Sequence, residues 1–131
     1  MQKPELILFD LGGVIVDVAS REEIHAWMPT PLDLAHWTER WPAEDVFEAF
    51  EMGLLTEVEF GERFIAEFPL TTTPDEFLAA FESWNRALMP GAVELLAELR
   101  PQYRLAALSN TNALHWKRLE GEFGIPTLFE R

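Results

Sequence analysis

Leu6-Ile7-Leu8-Phe9-Asp10-Leu11-Gly12-Gly13 is the stretch whose reading decides the fold. Four apolar residues run without a break and end in an aspartate and two glycines. A short unbroken apolar run closed by turn residues suits a strand buried on both faces, as in a parallel sheet. A second run of this kind is Tyr103-Arg104-Leu105-Ala106-Ala107-Leu108, closed by Ser109-Asn110-Thr111-Asn112. The two runs predict an α/β core with parallel strands.

Between them the periodicity is helical. Thr56 and Glu59 form a capping-box pattern, and Phe60, Phe64 and Phe68 then recur at spacing four. Thr73-Pro74 with Glu76 marks a second helix start. Phe77, Phe81, Trp84 and Leu88 follow it at i, i+4, i+7 and i+11 and predict one apolar helical face. Pro31, behind Thr30, is expected to open a helix carrying Leu34, Trp37 and Trp41. Val46, Phe47 and Phe50 mark another helix. From Gly91 to Arg100 a helix is expected to turn Val93, Leu96 and Leu99 inward. Trp116, Leu119 and Phe123 supply the last helix, with Gly124 as its stop signal. The order is strand, helical block, helix, strand, helix.

At 131 residues the chain suits one modest domain or a domain with a small insertion. Ten basic residues against 23 acidic ones give a net charge of −13. That balance excludes an electrostatic footprint for nucleic acid and disfavours anionic membranes. Sixteen of the acidic residues and four of the basic ones fall between Asp17 and Leu88, so the acidity belongs to the helical block. The absence of cysteine excludes disulfides, Cys-zinc sites and thiol catalysis. The N-terminus has no signal-peptide or membrane-span pattern, and a soluble cytoplasmic protein is the expectation.

Asp10 closes a predicted parallel strand, where open α/β sheets place ligand sites, and the two glycines let the backbone turn tightly. Ser109 to Asn112 offer hydroxyls and backbone N–H groups at a helix start, an arrangement suited to an anion. Each pattern alone is also that of an ordinary turn or helix cap. His25, His36 and His115 show no metal-ligand spacing. The acidic block contains no calcium-binding loop pattern and reads as a solvated helix face. The five Trp could stack a sugar but read mainly as core.

Taken together, Phe9-Asp10-Leu11-Gly12-Gly13-Val14-Ile15-Val16-Asp17, the helical insert, Pro90-Gly91-Ala92-Val93-Glu94-Leu95-Leu96-Ala97-Glu98-Leu99 and Leu108-Ser109-Asn110-Thr111-Asn112 resemble the haloacid dehalogenase-like (HAD) hydrolase superfamily. The branch most similar is that of small sugar-phosphate phosphatases of the α-D-glucose-1-phosphate phosphatase type. The insert resembles the helical C1 cap of that superfamily, and Glu51-Met52-Gly53-Leu54-Leu55-Thr56-Glu57-Val58-Glu59-Phe60 resembles a recurrent cap segment. The resemblance implies a HAD-like Rossmannoid parallel-sheet core over residues 1–16 and 89–131, with a helical cap over 17–88. It implies Asp10 as nucleophile and Mg²⁺ ligand, the Gly12 carbonyl as a second ligand, and Ser109 with the Asn110 N–H as phosphoryl-binding groups. A small phosphorylated metabolite, such as a sugar phosphate, is the implied partner.

Two departures stand out. The superfamily's second aspartate, its acid and base, is here Gly12, and Asp17 is the nearest further carboxyl group. The superfamily's later motifs, with a lysine and acidic Mg²⁺ ligands, find no match before Arg131, and Lys117 comes too early. The sequence therefore reads as the N-terminal part of a longer hydrolase, not competent as it stands. A non-catalytic remnant or interaction module on the same fold, and a 2-haloacid dehalogenase, remain open readings. A truncated core is also expected to leave the edge of the first strand open to self-association, with a short further strand at Thr127 to Phe129.

Overall fold

A computed structural model of the chain describes residues 3–26, 44–68 and 70–129. Its strands are β1 (Leu6–Phe9), β2 (Val16–Val18), β3 (Asn85–Leu88) and β4 (Arg104–Ala107). The helices are α1 (Arg21–His25), α2 (Glu44–Glu51), α3 (Glu57–Glu67), α4 (Pro74–Ser83), α5 (Ala92–Leu99), α6 (Ala113–Gly121) and α7 (Ile125–Phe129). The helix expected at Pro31, with Leu34, Trp37 and Trp41, lies outside the described residues. The chain divides into two compact units, one of Met1–Val18, Asn85–Asn110 and His115–Arg131, the other of Ala19–Trp84 and Thr111–Leu114.

In the first unit β1 and β4 run parallel, with Leu6 opposite Arg104 and Phe9 opposite Ala107. Ile7, Phe9 and Leu105 join a core with Leu11, Leu96, Leu119 and Ile125. The other face of β1 is bare: Leu6 is 47% and Leu8 56% exposed. This corrects the expectation of a strand buried on both faces. Strand side chains alternate, and among the described residues only the Ile7 and Phe9 side is covered.

β2 and β3 form an antiparallel ladder, Val16 opposite Leu88 and Asp17 opposite Ala87, with a register irregularity between Asp17 and Val18. Leu88 thus leaves the helical face on which its spacing placed it. α4 ends at Ser83, and Leu88 continues a ladder rather than a helix.

Three other expectations shift. In α5 the inward stripe is Ala92, Leu96 and the half-buried Leu99, while Val93 is 41% exposed. Ala92 lies a full turn before Leu96, and Val93 falls on the flank. Trp116 of α6 is likewise exposed, leaving Leu119 as its buried residue in this unit. The segment expected to add a strand at Thr127 to Phe129 is the helix α7. Gly124 turns the chain at φ +60°, and both the Thr127 N–H and its hydroxyl donate to the Gly124 carbonyl, at 3.0 and 2.7 Å. The Arg100 guanidinium donates to the Leu128 carbonyl at 2.7 Å and holds the end of that turn.

The second unit is built on phenylalanine. Phe60, Phe64, Phe77 and Phe81 have no measurable exposure, and Phe50 has 2%. Phe50 stacks on Phe60 at 4.2 Å and Phe64 on Phe77 at 4.3 Å, and Phe60 joins the two pairs by tilted contacts with Phe64 and Phe77. Each fully buried ring contributes about 1.5–3 kcal/mol. The helix starts carry the expected capping boxes, Thr56 with Glu59 and Thr73 with Glu76. A third, Ser20 with Glu23, opens α1. Gly61 on α3 lets Leu78 of α4 come close; a Cβ at Gly61 would stand 3.1 Å from the Leu78 Cγ.

Candidate active site

Parallel pairing brings the carboxyl ends of β1 and β4 out on the same side. The ladder runs one residue past the strands, where the Leu108 N–H donates to the Phe9 carbonyl at 2.9 Å. Asp10 and Ser109 therefore leave adjacent strands side by side. Asp10, Gly12, Leu108, Ser109 and Asn110 line one cavity of about 420 Å³.

The loop after Asp10 is organised by Leu11, which is buried. Its carbonyl accepts the N–H groups of Val14, Ile15 and Val16 at 3.1, 2.9 and 2.8 Å. Gly13 adopts φ +75°, a backbone that other residues resist, and donates to the Val16 carbonyl at 2.8 Å. The Leu11 N–H donates to Asp10 Oδ1 at 2.7 Å. That bond orients the carboxylate, and Oδ2 has no hydrogen-bond partner among the described residues.

Ser109 Oγ makes one long contact, 3.4 Å to the Asn110 carbonyl, so its hydroxyl is available to a ligand. Among the cavity's residues Asp10 is the sole ionisable group, facing the hydroxyl of Ser109 and the amide of Asn110. Asp10 and Gly12 both line the cavity, and a carboxylate and a backbone carbonyl are hard oxygen donors of the kind that would suit Mg²⁺. Among the described residues no group of three or more His, Asp or Glu could hold a metal.

Asp17 is not in this cavity. It lies on β2 and is held by Arg86 of β3, with Nε to Oδ2 and Nη2 to Oδ1 both at 3.2 Å. Asn112 is buried, while Lys117 is on α6 and does not line the cavity. His36 lies outside the described residues. Two features escaped the sequence. Leu108 lines the cavity, a role signalled only by its place at the end of the apolar run. The Asp17–Arg86 pair has no local signal at all.

A second cavity, of about 670 Å³, lies in the phenylalanine-rich unit among Ala26, Leu70, Thr71, Thr72, Glu76, Ala79 and Ala80. Its one charged group is already engaged. Glu76 accepts the Thr73 N–H at 3.0 Å and the Thr72 hydroxyl at 2.8 Å. The Thr73 backbone bond, then the Thr72 and Thr73 hydroxyls, hold its carboxyl below the ordinary value.

No protein-family model matches the chain. Solved structures do. A HAD family enzyme from Bacteroides thetaiotaomicron, crystallised with magnesium and inorganic phosphate, matches with a TM-score of 0.61 and 26% identity, over 88% of this chain and 57% of that one. Its magnesium complex matches with a TM-score of 0.62 and 27% identity, over 88% and 56%. A predicted HAD-like family hydrolase from Porphyromonas gingivalis matches with a TM-score of 0.58 and 28% identity, over 84% and 53%.

The chain has a HAD-like fold. It spans a little over half the length of the structures that it matches. In this HAD-like fold the Asp10 and Ser109 cavity opens at the carboxyl end of the parallel pair, the end at which open α/β sheets bind ligands. Among the described residues no helix is long and apolar enough to cross a membrane.

Proposed function

We propose that this chain carries the nucleophile side of a Mg²⁺-dependent phosphatase site that acts on a small phosphorylated metabolite, such as a sugar phosphate, through an aspartyl-phosphate. The observation that carries the reading is the shared cavity of Asp10, Gly12, Ser109 and Asn110 at the ends of β1 and β4. The HAD family enzyme that the chain matches was crystallised with magnesium and inorganic phosphate, which supports the same chemistry.

Each group has a task that suits it. Asp10 Oδ1 is held by the Leu11 N–H, which leaves Oδ2 to attack phosphorus. The Ser109 hydroxyl and the Asn110 N–H donate to the non-bridging phosphoryl oxygens. Phosphoryl transfer asks mainly for such positioning and for charge neutralisation. Asp10 and the Gly12 carbonyl would hold Mg²⁺, which supplies that neutralisation when bound. Water then attacks the aspartyl-phosphate, and the Asp10 carboxylate leaves as the anion that it was.

The test is hydrolysis of 4-nitrophenyl phosphate with Mg²⁺ and with EDTA. Turnover that needs Mg²⁺ and disappears in Asp10→Asn supports the reading. Turnover that survives Asp10→Asn overturns the nucleophile. Halide release from a 2-haloacid without metal would point to a dehalogenase instead. Failure of both, with the protein folded, would leave the non-catalytic module.

A further inference from the structure

Gly12 is not required by its own backbone. It is absent from the glycines with positive φ, unlike its neighbour Gly13 at +75°. Nor is it required by packing. A Cβ at Gly12 would meet just Val18 Cγ1, at 3.7 Å, an ordinary contact. The position admits a side chain and has none. The cavity wall beside Asp10 is completed by Leu108, which is 70% exposed and apolar. Neither residue can give up a proton. Asp17, seven positions on, has both carboxylate oxygens on Arg86 and does not line the cavity.

An alkoxide is a poor leaving group unless a proton reaches it as the phosphorus–oxygen bond breaks, and a placed acid typically contributes about 10²–10⁴-fold. A carboxylate, by contrast, leaves unaided. We infer that this site selects phosphoryl donors whose leaving group departs as a stable anion, acyl phosphates and phosphoanhydrides before esters of ordinary alcohols. The inference rests on the phosphatase reading and names the substrate class within it.

The step balances without a proton donor. For an acyl phosphate, an Asp10 oxygen forms a bond to phosphorus. The bond from phosphorus to the acyl oxygen breaks, and its electron pair leaves with the carboxylate. Water then adds to phosphorus and releases Asp10. Its protons end on the phosphate product and the solvent.

The experiment offers the protein, with Mg²⁺, acetyl phosphate, 4-nitrophenyl phosphate and glycerol 3-phosphate in turn. Phosphate release gives kcat/KM, and intact-mass measurement reads the gain of one phosphoryl group, with Asp10→Asn as the blank. The expected result is a fall of at least about 100-fold from acetyl phosphate to glycerol 3-phosphate. Gly12→Asp should narrow that ratio by raising the glycerol 3-phosphate rate. Equal kcat/KM for the two donors in the unaltered protein overturns this inference alone. So does a folded Gly12→Asp protein that acetyl phosphate still phosphorylates and whose ratio is unchanged. Should that variant not fold, the three donors on the unaltered protein decide. No turnover and no mass gain with any donor overturns the phosphatase reading, and this inference with it.

Discussion

Arg86 grips Asp17 at two points across the β2–β3 ladder, each at 3.2 Å. Both side chains are 41% exposed, so the pair is worth at most about 1 kcal/mol. Asp17→Asn should therefore lower stability only slightly and leave Asp10 phosphorylation by acetyl phosphate intact. Loss of phosphorylation in a folded Asp17→Asn protein would restore Asp17 as a reacting group.

Asp10→Asn keeps an oxygen that can accept the Leu11 N–H, the 2.7 Å bond that orients this side chain. Its thermal midpoint should match that of the unaltered protein, while phosphoryl uptake and turnover fall to background. A large drop in the midpoint would mean that Asp10 serves the loop rather than the chemistry.

Ser109→Ala removes one donor to a charged phosphoryl group, a bond worth about 1.5–3 kcal/mol. We expect kcat/KM to fall about 10- to 100-fold, less than for loss of the nucleophile. A variant silent in both kcat and KM would remove Ser109 from the site.

Gly61→Ala should destabilise the protein although alanine favours helices by about 1 kcal/mol. The new Cβ would stand 3.1 and 3.2 Å from the Leu78 Cγ and Cδ1, and overpacking of this kind costs about 1–3 kcal/mol. Denaturant unfolding measures the sum. Leu78→Ala in the Gly61→Ala background should recover part of the loss, and a purely additive pair would refute the contact.

The capping boxes set an acid-side dependence. Backbone bonds from Thr56 and Thr73, then threonine hydroxyls, hold Glu59 and Glu76 below the ordinary 4.5. A folded value below the unfolded one stabilises the protein above the ordinary carboxylate range, and the gain is lost as pH falls through the lowered values. Glu51 acts oppositely. Burial, then repulsion from Glu48, raises it, so its contribution is present below 4.5 and is lost as pH rises through the raised value. The double variant Glu59→Gln, Glu76→Gln keeps acceptors without charge. Its thermal midpoint should decline less steeply on the acid side, and superimposable profiles would refute the assignment.

What could be read beforehand was local. Thr56 with Glu59 and Thr73 with Glu76 are signals within one helical turn, and the structure forms both boxes. Phe77, Phe81 and Trp84 are one buried face, as their spacing demands. Leu88 satisfied the same arithmetic but belongs to a ladder, because its partner Val16 is remote in sequence and a three-residue strand carries no periodicity. Thr127 to Phe129 looked like a strand because the left-handed turn at Gly124 does not show in composition. Asp10 and Ser109 were legible as strand ends. The grip of Arg86 on Asp17 was not, since nothing local links positions 69 residues apart.

Among the described residues β1 pairs with β4 alone, and its unpaired edge has a consequence for amide exchange. Arg104 and Leu108 donate to the carbonyls of Glu5 and Phe9, so the odd-numbered residues of β1 bond towards β4. In a parallel ladder the intervening residues then direct their N–H groups to the opposite edge. Ile7 and Phe9 should exchange slowly with deuterium and Leu6 and Leu8 quickly, a strand protected at every second residue. Anything that paired with that edge would slow Leu6 and Leu8 and leave Ile7 and Phe9 as they were. Two leucine amides thus report, residue by residue, whether the strand has acquired a second neighbour.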